Sequence, residues 1–338
     1  MRFDYIEDSY KAEWEKLVSQ NPASGFMQSF FWTRFTNLLG WPTFKIGVFE
    51  DERLIGGAVV TKFATDNGHN YLYIPEGPVL PYNALGSDKI FDGLIAEIDK
   101  IADLKGDSLT SHLRIDPKLI ELPIFLKRFQ KAPTDLEPLR TLLINLSLSE
   151  EEILAQMKPK GRYNIKVAQR HGLKVISTDL QSGLNDFLKF YHQTVDRRQF
   201  EGKEESYFTN LVTAINNPAD AKMFFVKDQN SILAVALVIF YGELVTFLFG
   251  ASSDSHREKM APYLLQWEII CRAKEMGFSW YDFYGIVPDE NNLEHPWQGF
   301  TAFKKKFGGE DVKYIGAYDF VYNHQLYQEY LKTAEEIT

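Results

Sequence analysis

"FKIGVFEDERLIGGAVVTKF" (44–63) and "KMFFVKDQNSILAVALVIFY" (222–241) each read as strand, short polar turn, strand. Apolar, β-branched and aromatic residues fill the arms, and "EDE" or "DQNS" breaks them. Placing Val48 over Val226 superposes the two patterns at an offset of 178 residues. The elements after each hairpin also repeat. A short aromatic strand comes next, "NYLYIP" (70–75) or "LVTFLFG" (244–250). Then comes a segment with helical apolar spacing, "KIFDGLIAEIDKIADL" (89–104) or "APYLLQWEIICRAKEM" (261–276). A further strand closes each unit, "SHLRIDP" (111–117) or "SWYDFYGI" (279–286). Helical stretches precede both hairpins, at 10–18 and 30–40 and again at 183–200 and 206–215.

Helices, hairpin, strand, helix, strand is the order of an N-acyltransferase fold. Its double occurrence predicts an α/β (α+β) chain of two tandem N-acyltransferase (GNAT-like) domains, each a mixed sheet flanked by helices. The boundary is expected in "LEPLRTLLINLSLSEEEIL" (136–154), where a strand ends and a helix capped by Ser149 and Glu152 begins. That gives domains 1–147 and 148–317, with the C-terminal helix of 318–338 expected to return to the first domain.

The chain of 338 residues is long enough for two cores, and 45% hydrophobic with 25% charged residues is ordinary for a globular protein. The longest apolar runs are of strand length, too short to cross a membrane. The N-terminus is acidic and amphipathic without a signal-peptide core, so the cytoplasm is the expected location. The single cysteine, Cys271, excludes an internal disulfide and a thiolate cluster, and its setting predicts a helical, buried thiol. No P-loop, dinucleotide fingerprint, HExxH or nucleophile-elbow motif occurs, and the seven histidines lack metal-ligand spacing, so no metal is expected. The acyltransferase order ordinarily goes with CoA bound on glycine-rich amides at a helix start. Here "HREKMAPYLLQ" (256–266) and "PYNALGSDKIF" (81–91) stand in those places, so CoA is not expected.

Positive charge is gathered in one place. "KPKGRYNIKVAQRHG" (158–172) holds five Lys/Arg and no acid, in a chain with 37 Lys+Arg against 46 Asp+Glu. A helix from Lys160 would put Arg162, Lys166 and Arg170 on one face and Ile165 and Ala168 on another. Two readings stay open at this point: a solvated basic face, or a site for a polyanion.

The chain resembles the Fem family of non-ribosomal peptidyltransferases (FemABX type). The stretches that carry the resemblance are "QSFFWTRF" (28–35), "YIPEGPVL" (73–80), "LRIDP" (113–117), "KPKGRYNIKVAQRHGLKV" (158–175), residues 260–286 and "FTAFKKKFGGEDVKYIGAYDFV" (300–321). No heptad insertion is seen, so the compact type without a coiled-coil arm is implied. The resemblance implies transfer of an amino acid from aminoacyl-tRNA to an amine of a UDP-linked or lipid-linked muramyl peptide precursor. It implies no metal or CoA, no DNA, and peripheral association with the inner membrane face. The polyanions are then the tRNA and the precursor diphosphate, with 158–170, "DRRQFEGK" (196–203) and "FKKKFGG" (303–309) as basic stretches to meet them.

By the same resemblance Lys304 lies at the transfer site, in the F-K-x-x-F stretch with Phe303. Asp116 of "LRIDP" orients the amine or Lys304, or caps the turn before Pro117. Lys203 and Tyr207 in "GKEESYF" and Tyr263 in the A-P-Y stretch bind the precursor. Lys203 stands where relatives have arginine, and the lysine that relatives carry after Q-x-x-x-W is Thr36 here. Arg34 is the nearby substitute, although two residues along a helix turn it to another side. Arg162, Lys166 and Arg170 fall to tRNA or phosphate contact. A CoA-dependent acyltransferase and a non-catalytic precursor-binding scaffold remain as alternatives.

Overall fold

Residues 44–63 and 222–241 form the two hairpins, each the second and third strands from one edge of a seven-stranded sheet. The computed structural model describes residues 1–65, 67–82, 86–102, 109–198, 201–229 and 231–337. The "PYNALG" loop and the basic stretch 196–203 thus lie partly outside the described residues, at 83–85 and 199–200. In chain order, the first part contains β1 (Arg2–Tyr5), α1 (Lys11–Gln20), α2 (Phe30–Leu38), β2 (Thr43–Glu50), β3 (Arg53–Ala64), β4 (Asn70–Pro75), α3 (Ser87–Ile101), β5 (Thr110–Asp116) and β6 (Gln130–Lys131). The second contains β7 (Arg140–Asn145), α4 (Glu150–Gln156), α5 (Pro159–Arg170), β8 (Lys174–Thr178), α6 (Leu180–Arg198), α7 (Glu205–Ala214), β9 (Ala221–Lys227) and β10 (Ile232–Tyr241). It continues with β11 (Leu244–Ser252), α8 (Ala261–Glu275), β12 (Trp280–Asp282), α9 (Gln298–Lys304) and β13 (Glu310–Lys313); β14 (Tyr318–Val321) and α10 (His324–Ile337) end the chain.

The first sheet runs β1-β2-β3-β4-β5-β14-β6, and the second, read from β8, runs β8-β9-β10-β11-β12-β7-β13. Every neighbouring pair is antiparallel except β4 with β5 and β11 with β12, which occupy the same place in their sheets. The sheets therefore correspond strand for strand, the topology of a tandem duplication. Sequence chemistry explains the layers. β10 is an almost unbroken apolar run, buried along its length because helices cover it. α3 sends Ile90, Phe91, Leu94, Ile95 and Ile98 into the first core, and α8 sends Leu264, Leu265, Ile269, Ile270 and Ala273 into the second.

The chain divides into Met1–Leu139 with Tyr314–Thr338, and Arg140–Lys313. This corrects the expected boundaries. The sequence pattern puts residues 140–147 in the first domain, but β7 hydrogen-bonds to β12 and β13 in the second sheet. Residues 314–317 lead into β14, which completes the first sheet beside β5. Each sheet takes the strand beside its parallel pair from a segment remote in sequence. The capping box of Ser149 and Glu152 is formed, one turn beyond β7. No helix among the described residues is long and apolar enough to cross a membrane.

Candidate active site

β11 and β12 run parallel over only three residue pairs, from Leu244 opposite Trp280 to Thr246 opposite Asp282. Beyond Asp282 the chain leaves β11, and Tyr284 turns with φ +56°, a backbone state uncommon for a residue with a side chain. The carbonyls of this turn face Lys304, the last residue of α9. Its Nζ donates to Tyr284 O at 3.0 Å and Gly285 O at 2.7 Å, and lies 4.7 Å from the centre of the Phe300 ring. Lys304 is 7% exposed. Burial pulls its ammonium down to about 7, against the Asp282 carboxylate, which raises it. Asp282 also accepts a hydrogen bond from Tyr284 N at 2.7 Å and one from the Thr141 hydroxyl, fixing the turn that holds the lysine.

The three lysines of "FKKKF" have three different settings. Lys305 pairs with Glu290 at 2.7 Å and Asp311 at 3.3 Å. Lys306 donates to the Tyr263 hydroxyl at 3.0 Å. Of the three, Lys304 alone is buried on backbone carbonyls. Phe303 and Phe307, four residues apart, pack on Tyr263 with ring centres 5.0 and 5.8 Å away, which anchors the segment to α8. Its far side rests on the start of α5. Lys158 N donates to Lys306 O at 3.0 Å, and a Cβ on Gly161 would collide with that same carbonyl. Gly308, at φ +75°, passes so close to Gln156 O that a Cβ would stand 2.5 Å from it. The glycines of "KPKGR" and "FGG" are thus a fit between two pieces of backbone.

Beside Tyr263 and Phe303 a cavity of about 370 Å³ opens at the start of α8. Arg197, Asp254 and Arg257 line it as well. Arg197 donates to Ser252 O at 3.0 Å and to Asp254 at 2.9 Å, and Arg257 joins the same carboxylate. Met260, at φ +56°, turns the chain into the helix where a glycine would be the easy choice. Cys271 is half-buried on α8, and burial pushes its thiol up to about 12, so it offers no thiolate near neutral pH.

The remaining expected residues scatter. Lys203 and Tyr207 form a pair of their own, the ammonium 5.6 Å from the ring centre. Arg34 is exposed, whereas Thr36 is buried and bonded to Thr43 Oγ1 at 2.8 Å, so the two point to different sides of α2. Arg162 does not join the basic face. Its guanidinium turns to the end of α4, donating to Leu154 O at 3.3 Å and to Met157 O, orphan carbonyls of the kind a helix end leaves. Lys166 and Arg170 remain exposed beside Tyr163.

Asp116 belongs to the first unit, where it ends β5 opposite Pro75. It is buried, and Tyr73 OH donates to it at 3.3 Å. Burial, with Asp135 adding, pushes its carboxyl up to about 7. The strand correspondence makes Asp282 its equivalent in the second unit, since each aspartate closes the parallel pair. Sequence reasoning overlooks Asp282, although laying "SHLRID" against "SWYD" points to it.

Three comparisons bear on this geometry. A family model described as the FemAB family matches residues 10–121, 127–226 and 215–334. The lipid II:glycine glycyltransferase of Staphylococcus epidermidis is 23% identical over 401 aligned positions, covering 96% of this chain and 94% of that protein. The enzyme of the same name from Staphylococcus haemolyticus is 24% identical over 398 positions, covering 94% and 92%. Both alignments are longer than this chain of 338 residues, so these relatives carry inserted residues that it lacks. Among solved structures, FemX superposes with a TM-score of 0.83 at 22% identity, over 97% of this chain and 99% of that one. A tandem GNAT protein from the clavulanic acid biosynthesis pathway superposes at 0.57 with 12% identity, over 95% and 98%.

Proposed function

The chain belongs to the FemAB family, and from that premise we propose that it is an aminoacyltransferase of peptidoglycan synthesis. It moves an amino acid from aminoacyl-tRNA to an amine of a muramyl stem peptide, forming an interpeptide bridge or side branch. The acceptor is lipid-linked, as the names of the relatives suggest, or UDP-linked, and the enzyme works at the cytoplasmic face of the membrane. The observation that carries this reading is Lys304, buried at the divergence of β11 and β12 on two backbone carbonyls, with its pKa drawn down to about 7.

The chemistry needs little more. The acceptor nitrogen attacks the ester carbonyl carbon, a C–N bond forms, and negative charge collects on the carbonyl oxygen. Collapse breaks the ester C–O bond; the ribose oxygen leaves and takes up a proton, and the nitrogen loses one. A protonated Lys304 has three N–H bonds. Two go to Tyr284 O and Gly285 O, and the third remains for the oxyanion. An ester of tRNA is already activated, so the reaction asks for no nucleophilic side chain, metal or CoA. Phe303 and the cavity at the start of α8 are where the acyl-bearing end of the donor would lie. Lys203, Tyr207 and Tyr263 are assigned to the precursor. Arg34, turned to solvent, is left without a role.

The test is mass spectrometry of lipid-linked and UDP-linked muramyl pentapeptide after incubation with a mixture of charged tRNAs, and separately with acyl-CoA. Addition of an amino-acid residue mass from charged tRNA alone is expected. Transfer from acyl-CoA alone would replace this reading with the thioester-dependent one, and binding without turnover would leave a scaffold.

A further inference from the structure

From Ile153 to Thr178 there is no Asp or Glu, while Lys158, Lys160, Arg162, Lys166, Arg170 and Lys174 fall in the same stretch. Arg162 is spent on α4. The other five cations are exposed, and none of them holds an ion pair among the described residues. This contrasts with Lys305, Arg140 and Lys259 of the same unit, each bonded to a carboxylate. Lys166 and Arg170 border a shallow hollow of about 540 Å³, completed by Tyr163 and Gln169. The Tyr163 ring is 60% exposed, with the Arg170 guanidinium 5.8 Å from its centre.

We infer that this face of α5 holds the sugar-phosphate backbone of the donor RNA, beyond the acyl-bearing end. The inference rests on the aminoacyl-tRNA reading above. An unpaired cluster of cations in a chain of net charge −9 selects a polyanion. The hollow selects further. Tyr163 and Gln169 add a stacking surface and an amide to two cations, the kit for a sugar-phosphate strand with unpaired bases. A helix that inserts into a bilayer would instead call for exposed aliphatic or aromatic residues in a row. On α5 Tyr163 is the one exposed large apolar residue. The face is also tied to the transfer site, because the start of α5 contacts the Lys306 backbone through Lys158 and Gly161. RNA held here is held in a fixed relation to the segment that carries Lys304.

The experiment measures the affinity of the full-length protein for uncharged tRNA at several salt concentrations, with wild type, Lys166→Ala/Arg170→Ala and the charge-keeping Lys166→Arg/Arg170→Lys. Each phosphate contact contributes about 0.7–0.9 to the slope of log affinity against log salt. The Ala pair is expected to lower the slope by about 1.5 and affinity at low salt by at least about tenfold, and the charge-keeping pair to restore most of both. Wild-type binding with an unchanged slope in the Ala pair would overturn this inference alone. A wild type that binds no tRNA would overturn the donor reading and this inference with it. Co-sedimentation with phosphatidylglycerol vesicles is the parallel arm. Loss of vesicle binding with unchanged RNA binding would make the face a membrane surface instead.

Discussion

The carbonyl oxygen of Lys306 occupies the space where a side chain on Gly161 would begin. The same oxygen accepts a hydrogen bond from Lys158 N at 3.0 Å, so the start of α5 and the "FKKKF" segment form one joint. Two stretches that look like loose basic charge are thereby packed together, and the joint fixes Lys304 two residues away.

Gly161→Ala should therefore act on catalysis through geometry. Overpacking of this kind costs about 1–3 kcal/mol, and the relief available is a shift of the 304–307 segment. Expected are a lowered denaturation midpoint and a fall in kcat larger than any rise in KM. A variant with normal kcat would show that the joint does not position the lysine.

Lys306 and Tyr263 should couple. Their hydrogen bond joins a cation to a phenol buried beside the cavity. A double-mutant cycle with Lys306→Met and Tyr263→Phe, read as kcat/KM, is expected to give about 1 kcal/mol of coupling. The same cycle with Lys305→Met should give none, because Lys305 is engaged by Glu290 and Asp311. Equal coupling for both lysines would contradict the separation of their roles.

The pH dependence of stability separates Asp116 from an ordinary carboxylate. Its folded pKa is raised to about 7 from 3.8, so between those values the native state keeps a proton that the unfolded state has lost. Stability contributed at this site falls as pH rises from about 4 to about 7, and the penalty is complete above 7. Asp116→Asn removes it. The Tm of the variant relative to wild type should rise from pH 5 to about pH 7 and then level off, and a difference constant with pH would show that Asp116 is not held protonated.

Much of this is legible in the sequence, for reasons that can be named. The hairpins at 44–63 and 222–241 and the helices after them are local patterns of burial, and they suffice for the duplicated fold. β7 escapes such reading because its partners, β12 and β13, lie more than a hundred residues away, and nothing local in "RTLLIN" says which sheet it joins. Lys304 is legible only through family resemblance. A run of three lysines reads as solvated, and the carbonyls that bury one of them come from a turn twenty residues earlier. Arg162 shows the converse. Its spacing matches Lys166 and Arg170, yet the end of α4 stands closer than solvent and takes its donors.

The proposed catalytic form of Lys304 is the cation, and its folded pKa is pulled to about 7 from 10.5. Single-turnover transfer should then fall as pH rises through 7, unless a rising fraction of neutral acceptor amine offsets it, which gives a bell. For stability the sign is opposite to that of Asp116. Between 7 and 10.5 the unfolded state binds the extra proton, so the Lys304 penalty fades as pH rises through that window.

The most direct test is single-turnover transfer from charged tRNA to muramyl pentapeptide by Lys304→Met, with precursor affinity measured in parallel. Removing one donor aimed at an oxyanion costs about a hundred- to a thousandfold in rate. The account predicts a loss of that size with precursor affinity within a few-fold of wild type, while Lys305→Met keeps its rate. Transfer by Lys304→Met at the normal rate, or a defect confined to affinity, would contradict it.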